Sequence, residues 1–451
     1  MYAKLFWLCA KLGRPKLAAA LAVPVLQQLH GKRGQGRRTV IVLPKDGFTQ
    51  DVMSVLATLP DMTVLGLPRI ILREASAAFL PFFIDDNNYA SCGLEFEGSK
   101  RRYKEFLAIM LQELQKQVPF EGILTGNFGY ARERELAAAA SGLGIPFIAL
   151  HKENLKTPGR VAMFERVYRE RRGRFGGKKI LVYNAVEKAL QERSGVAEPA
   201  AIEVVGMPRL DAIHDWRRRH GGEVVSKRIL FFMFSAVSGM PGIPRKTSRR
   251  GVVRLEEVPG ETQISLAQLC QETCAAILAL ARQRPDISVQ VKTKGRQRDL
   301  TEVLQNFGVG SAAELPPNLA LVHGGDILPL LSGASAVCGF NTTALLEAIA
   351  AGKPVVMPWF AEAESDAVAP FVIDLRPATQ VAQSGDDLIR ILATLADDPM
   401  PVAEDLAASQ AALLQHWTGN VDGKSGARAG RAILAALETA DGDSRKAHSS
   451  L

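Results

Sequence analysis

The residues best placed to do chemistry lie in one run, Ala336 to Trp359. A short apolar strand ends at Gly339, a polar turn of Asn341, Thr342 and Thr343 follows, and a helical stretch carrying Glu347 closes at Gly352. The first amides of a helix have no partner inside it and carry the positive end of its dipole. Those amides and the two threonine hydroxyls therefore form a site for a diphosphate, and Gly339 lets the backbone approach it. Glu347, one turn into the helix, is a carboxylate able to accept two hydrogen bonds from a ribose diol. The local alternative is that Asn341 or Thr342 merely caps the helix and Glu347 faces water. Upstream, Lys292, Lys294 and Arg296 follow an alternating strand and offer cations to a phosphate.

The first half of the chain holds the candidate acid-base groups. His151 sits just past the apolar strand Pro146–Leu150, where an imidazole is a reasonable general base for a hydroxyl, although a histidine at a strand end is also a common structural side chain. Lys152, Lys156 and Arg160 would draw anionic groups towards it. Asp46, Asp85, Asp86 and Glu153 are the alternative bases, and the pair Asp85 and Asp86 also has the look of an acidic metal site. Arg209 either clamps a phosphate or locks a turn through Asp211. The stretch from Arg166 to Lys179 reads as a solvated helix and loop, or as a receiver of acidic glycan.

The elements that must position these residues alternate. Short β-branched runs at Arg38–Pro44, Met62–Leu67, Gly122–Gly126, Pro146–Leu150, Lys179–Tyr183 and Ile202–Gly206 each end in a polar or glycine turn, with an amphipathic helix over Arg101–Gln117. After a polar break at Trp216–Lys227 a second series begins: Ile229–Phe234, Ile287–Val291, Leu319–Val322, Ala336–Cys338 and Pro354–Met357. Short buried strands alternating with helices predict two doubly wound parallel sheets, α/β in class. Ligands of such sheets bind beyond the carboxyl ends of the strands, so two of them in tandem predict a central cleft. The expected units are a basic amphipathic leader over 1–38, an N-terminal domain over 39–215, a linker over 216–227, a C-terminal domain over 228–440 and a disordered tail over 441–451. A long polar loop is expected over 236–260, of the kind that is functional or mobile.

Bulk properties narrow the classes. The chain has 451 residues, more than one core usually organises, with 47% hydrophobic and 23% charged residues, as in ordinary globular proteins. Its five cysteines form no CxxC pair and read as reduced thiols, which points to the cytoplasm. The net charge of +8 is local: residues 1–38 hold eight Lys or Arg and no acid, and the remainder is balanced at 47 against 47. Those cations flank the apolar stretch Leu17–Leu29, too short and too interrupted by Pro24 to cross a bilayer, which needs about 20 apolar residues. Two readings stay open for the leader: peripheral contact with an anionic membrane, or a first helix packed on the body with a solvated basic face. Nucleic acid is not an expected partner, because the rest of the chain is charge-balanced and only 6% aromatic.

The run from Ala336 to Trp359 resembles the donor half of GT-B glycosyltransferases, with its strand, small-residue turn, Glu-bearing helix and Gly352-Lys-Pro354. Asp326–Leu331 is similar to the helix that precedes their donor loop. Phe147–Gly159 and Gly206-Met-Pro-Arg-Leu-Asp211 resemble elements of capsule transferases and of the glycerophosphotransferases that make teichoic acids. The chain departs from these families in two places. The strand and loop Val291–Arg298 lack the usual histidine and proline, and His151 is followed by Lys152 where the families have glycine. The resemblance implies a transferase moving a sugar or polyol phosphate from a nucleotide-sugar donor to a surface polysaccharide or lipid-linked glycan acceptor. His151 would be the base, Arg209 and Lys292 would lie at the donor, and neither metal nor cofactor is implied. Two rivals share the fold: a nucleotide-sugar 2-epimerase, which calls for several cleft carboxylates, and a non-catalytic nucleotide-binding subunit of polysaccharide assembly.

Overall fold

A computed structural model of the chain describes residues 2–31, 38–45, 47–86, 88–225, 227–241, 246–248, 251–253, 264–293 and 299–449. The leader is helical and then extended: α1 (Tyr2–Lys11), α2 (Pro15–Ala22) and β1 (Gln27–His30). The N-terminal βα series follows as β2 (Arg38–Val42), α3 (Phe48–Leu56), β3 (Met62–Gly66), α4 (Arg69–Ser76), α5 (Glu97–Gln117), β4 (Gly122–Thr125), α6 (Ala131–Gly142), β5 (Phe147–Leu150), α7 (Pro158–Arg166), β6 (Lys179–Val182), α8 (Ala185–Arg193) and β7 (Ile202–Val204). These strands form one sheet in the order β1-β3-β2-β4-β5-β6-β7, parallel except for the antiparallel edge strand β1. Every residue of β4 and β5 is buried, as expected of strands covered by helices on both faces.

The second series runs α9 (Leu210–Arg219), β8 (Arg228–Phe232), a small ribbon of β9 (Lys246–Ser248) and β10 (Gly251–Val253), α10 (Ala267–Gln283), β11 (Ser288–Thr293), α11 (Asp299–Asn306), β12 (Leu319–His323), α12 (Leu328–Ser332), β13 (Ala336–Gly339), α13 (Ala344–Ala350), β14 (Val355–Pro358), β15 (Gln380–Ala382), α14 (Gly385–Asp397), α15 (Ala408–Thr418) and α16 (Ser425–Ser449). Its sheet is parallel throughout, in the order β12-β11-β8-β13-β14-β15. The two doubly wound parallel sheets are the pair expected from the sequence. The ribbon β9–β10 occupies part of the segment expected to be a long irregular loop.

Three boundaries differ from the sequence expectation. The leader is part of the N-terminal lobe: α1 packs on α4 and α2 on α5, where Ala18, Ala19 and Ala22 are small enough to let the helices close. The linker expected at 216–227 begins inside α9, because Leu210, Ile213 and Trp216 are buried in the C-terminal core, so the lobes part earlier, near Gly206. The last helix returns to the first lobe: Ala429, Ala432, Ile433, Ala436 and Leu437 pack on Val40, Val42, Leu124 and Ile148. It also continues through the segment expected to be a disordered tail, ending at Ser449.

The return crossing is tightly stitched. Gly419 closes α15 in the left-handed region at φ 60°, and a Cβ there would fall 2.0 Å from the carbonyl oxygen of Tyr183, so glycine is required. Met207 N donates to Thr418 O at 2.8 Å and Asn420 Nδ2 donates to Asp211 Oδ1 at 2.7 Å. Asp211 also accepts from the amides of Ser425 and Gly426, at 3.0 and 2.7 Å, capping the start of α16.

Candidate active site in the interlobe cleft

Between the carboxyl ends of the two sheets lies a cavity of about 240 Å³. Thr49, Gln50 and Met53 of α3 form its N-terminal wall, Asp326 and Glu347 its C-terminal wall, and Arg209 its floor. Arg209 sits at the start of α9 and joins the lobes chemically. Its Nε donates to Glu347 Oε1 at 3.0 Å, its Nη1 to Asp51 Oδ2 at 3.3 Å and to Tyr183 Oη at 3.2 Å, and its backbone amide to Asp51 Oδ1 at 3.1 Å. Tyr183 in turn donates to Asp51. Burial works against the guanidinium charge, but Tyr183, Asp51 and Glu347 outweigh it and raise the Arg209 pKa further. Burial pushes the Glu347 carboxyl up, and the Arg209 charge opposes it. The guanidinium is bonded to Asp51 and Glu347 and not to Asp211, which caps α16.

The turn expected to hold a diphosphate is built differently from its sequence reading. Asn341 takes a positive φ of 48°, and its Nδ2 donates to Ser238 O at 2.9 Å and Phe371 O at 3.1 Å, while its Oδ1 accepts from Ile373 N at 3.0 Å. Phe340 is buried against Phe234 and Trp359. Asn341 and Thr342 are each only 7% exposed, and Thr342 Oγ1 accepts from Ala344 N at 3.4 Å. The segment Ser235–Met240 and the stretch Phe371–Ile373 thus hold Asn341 down, Gly339 and Thr342 are buried beside it, and helix α13 behind them has only seven residues. Of this set Thr343 is half-exposed and Glu347 alone lines the cavity.

Lys292 is tethered, donating from Nζ to Gly324 O at 2.6 Å, and burial lowers its pKa. Lys294, Arg296 and Asp46 lie outside the described residues.

His151 does not face the cleft. Its side chain is 0% exposed, its ring packs on Phe128 with centroids 5.1 Å apart, and Nε2 lies 3.1 Å from Glu187 Oε1. Glu187 is itself buried with Lys156 Nζ at 3.6 Å, Tyr168 Oη at 2.9 Å and Gln191 Nε2 at 2.8 Å. Desolvation would raise the Glu187 pKa, but Lys156 and His151 hold it down. This is a packed ion cluster beneath the loop, and the imidazole is sealed in it because the loop after β5 turns inward at Asn154. Asn154 accepts from Tyr183 N at 2.9 Å and donates to the His151 carbonyl.

Glu153, two residues on, is exposed at the mouth of the same loop. The crowding of protein around its carboxylate tends to raise its pKa, but Arg172, His151, Lys156 and Lys45 prevail and hold it low, so it is an ionised carboxylate at neutral pH. Lys45 donates to Tyr130 Oη at 2.7 Å, and Lys152 lies within the fields of Glu153 on one side and of Asp51 and Arg209 on the other. Asp86 accepts from the Ala131 amide at 2.8 Å, capping α6. Among the described residues no cluster of His, Cys, Asp and Glu is placed to hold a metal ion.

Glu347, Arg209 and Asp51 thus form a chain of ion pairs from one lobe to the other, and Lys152 feels the charges of both Asp51 and Glu153 beyond it. The sequence reading missed Asp51 and Tyr183. Asp51 left a signal: Phe48, Asp51, Val52 and Val55 share the buried stripe of α3, and an aspartate at an apolar position needs a partner.

No protein-family model matches this chain, and no curated protein matches it in sequence. Among solved structures it is similar to the UDP-GlcNAc 2-epimerase of Neisseria meningitidis bound to UDP-GlcNAc, at 14% identity and TM-score 0.45, over 89% of this chain and 100% of that one. It is also similar to the UDP-GlcNAc 2-epimerase of Methanocaldococcus jannaschii, at 12% identity and TM-score 0.46, over 88% and 99% of the two chains. A third similar structure is a UDP-forming trehalose-phosphate synthase from Burkholderia vietnamiensis, at 12% identity and TM-score 0.44, over 91% and 99%.

Proposed function

We propose that the chain is a transferase that moves a sugar or polyol phosphate from a nucleotide-activated donor to the hydroxyl of a surface-glycan acceptor in the interlobe cleft. The observation that carries this reading is the meeting of Arg209, Asp51 and Glu347 at a cavity between the carboxyl ends of two parallel sheets. Arg209 is a permanent cation for the donor diphosphate, with Thr343 and Lys292 on the C-terminal side. Glu347, freed from Arg209, is the ribose acceptor. Glu153 takes the role first assigned to His151. Its carboxylate accepts the proton of the acceptor hydroxyl as that oxygen bonds to the transferred group, and the donor's bond to the nucleotide breaks with its electron pair leaving on the phosphate.

The test is release of nucleoside phosphate from a panel of nucleotide-activated donors by the purified chain, with and without glycan acceptors. Glu153→Gln is expected to lower turnover by about 10² to 10⁴ while donor binding persists. His151→Phe is expected to lower stability instead, since it removes one of the buried partners of Glu187. Full turnover in Glu153→Gln would overturn the assignment of the base.

The second reading, a nucleotide-sugar 2-epimerase, is favoured by the two carboxylates Asp326 and Glu347 on one cavity, with Asp51 buried behind Arg209. NMR of a UDP-sugar incubated with the chain and no acceptor separates the two. A new C2 epimer with no nucleotide release means epimerisation, and donor binding with neither product means a non-catalytic subunit.

A further inference from the structure

The first helix carries a feature the cleft chemistry does not use. α1 buries Phe6, Cys9 and Ala10 against the N-terminal lobe. A second apolar row, Leu5 and Leu8 on α1 and Leu12 just past its end, is spaced i, i+3, i+7 and faces outward, exposed by 38%, 43% and 62%. Tyr2 and Leu17 extend it, also exposed. Lys4, Lys11, Arg14 and Lys16 are exposed around the row, and residues 2–31 include no Asp or Glu. Lys11 Nζ stands 4.8 Å from the centre of the Trp7 ring. An acidic neighbour, Glu113 of α5, lies 3.8 Å from Lys16 and is bonded more closely to Lys116, at 2.8 Å.

Single exposed leucines are ordinary on a protein surface, but a row of three beside four exposed cations is not. A second copy of the chain is a poor occupant, because a two-fold contact through this face would oppose Lys4 and Lys11 to their own copies. An anionic bilayer surface suits both halves: apolar side chains enter the headgroup boundary and the cations meet lipid phosphates. At ten residues α1 cannot span, and no helix among the described residues is long and apolar enough to cross a membrane.

We propose that α1 lies in the plane of an anionic membrane surface, with Leu5, Leu8 and Leu12 inserted and Lys4, Lys11, Arg14 and Lys16 on the headgroup phosphates. This relocates the contact anticipated for the apolar run Leu17–Leu29, whose Ala18, Ala19 and Ala22 are turned into the lobe. It holds whichever sugar chemistry the cleft performs.

The test is co-sedimentation of the full chain with phosphatidylcholine vesicles, with and without phosphatidylglycerol, at low and high salt. Binding is expected on the anionic vesicles and at least about tenfold weaker on neutral ones or in high salt. The triple variant Leu5→Gln, Leu8→Gln, Leu12→Gln and the quadruple variant Lys4→Gln, Lys11→Gln, Arg14→Gln, Lys16→Gln should each lose about tenfold or more, with unchanged melting. The quadruple variant alters only exposed cations and decides the matter if the triple one folds poorly. Equal binding to neutral and anionic vesicles, or undiminished binding by the quadruple variant, overturns the proposal. So does a dimer in light scattering that the triple variant dissolves without any vesicle binding by the parent chain.

Discussion

Arg209 is held by groups from both lobes, and its neighbours are poor at replacing it. Substituting Arg209→Ala leaves Asp51 and Glu347 facing each other with little water, and breaking a buried ion pair from one side costs about 3 to 5 kcal/mol. Arg209→Lys keeps the charge but cannot reach Glu347, Asp51 and Tyr183 together, so it should recover only part of that loss. Urea unfolding of the parent and both variants checks the order; equal stability of all three would remove the cluster from the account of the fold. At this scale the sequence singled out Arg209 and Glu347, and the fold brings the two together at the cavity. It misled at His151, since the residue type at a strand end does not say whether the loop beyond turns towards the cleft or under the sheet. Asn341 shows the same limit: its amide fits a cap or a ligand site equally well on paper, and only the tertiary path of Ser235–Met240 decides that it ties loops together.

The seam along α9 makes a pH-dependent prediction. Burial lowers the His214 pKa from 6.5 to about 4, opposed in part by its contact with the Asn420 carbonyl and helped by Arg217 and Arg218. The folded chain therefore keeps this imidazole neutral where the unfolded chain protonates it. The stability it confers is complete above pH 6.5 and is lost as pH falls towards 4, up to about 3 kcal/mol. Replacing His214→Gln, which keeps a donor for Asn420, should flatten the fall in unfolding free energy between pH 7 and 4.5; an unchanged acid slope would place the titration elsewhere. Elements were legible where periodicity was strong: β2 to β8 and β11 to β14 all lie within or beside the runs expected for them. Boundaries at Trp216 and near Gly442 were not, because a helix rich in Arg or Ala reads alike whether it links, frays or packs.

Over the whole molecule, two lobes share one continuous chain but not one continuous order, since α16 belongs to the lobe in which the chain began. Ending the chain at Lys424 should uncover Val40, Val42, Leu124 and Ile148 and make the protein aggregate, whereas ending it at Ala440 retains the packed residues Ala429 to Leu437. Soluble yield and melting of the two truncations measure this, and a stable chain ending at Lys424 would show α16 to be dispensable. The doubly wound pair of sheets was foreseeable from alternation alone. The homecoming of the last helix was not, because its Ala-rich stripe suits the helical face of either sheet.

The stitching at Asp211 has a mechanical meaning. Gly206 and Gly419 lie side by side where the chain passes out of the first lobe and back into it, so the two passages form a single short axle. Any swing of one lobe against the other turns about that line. Arg209, three residues from it, starts the helix that packs in the same lobe as Glu347, whereas Asp51 stands on α3 of the other lobe. Opening the jaws would therefore part the guanidinium from Asp51 and leave it with Glu347, one bond of its positive group turned towards whatever anion has entered.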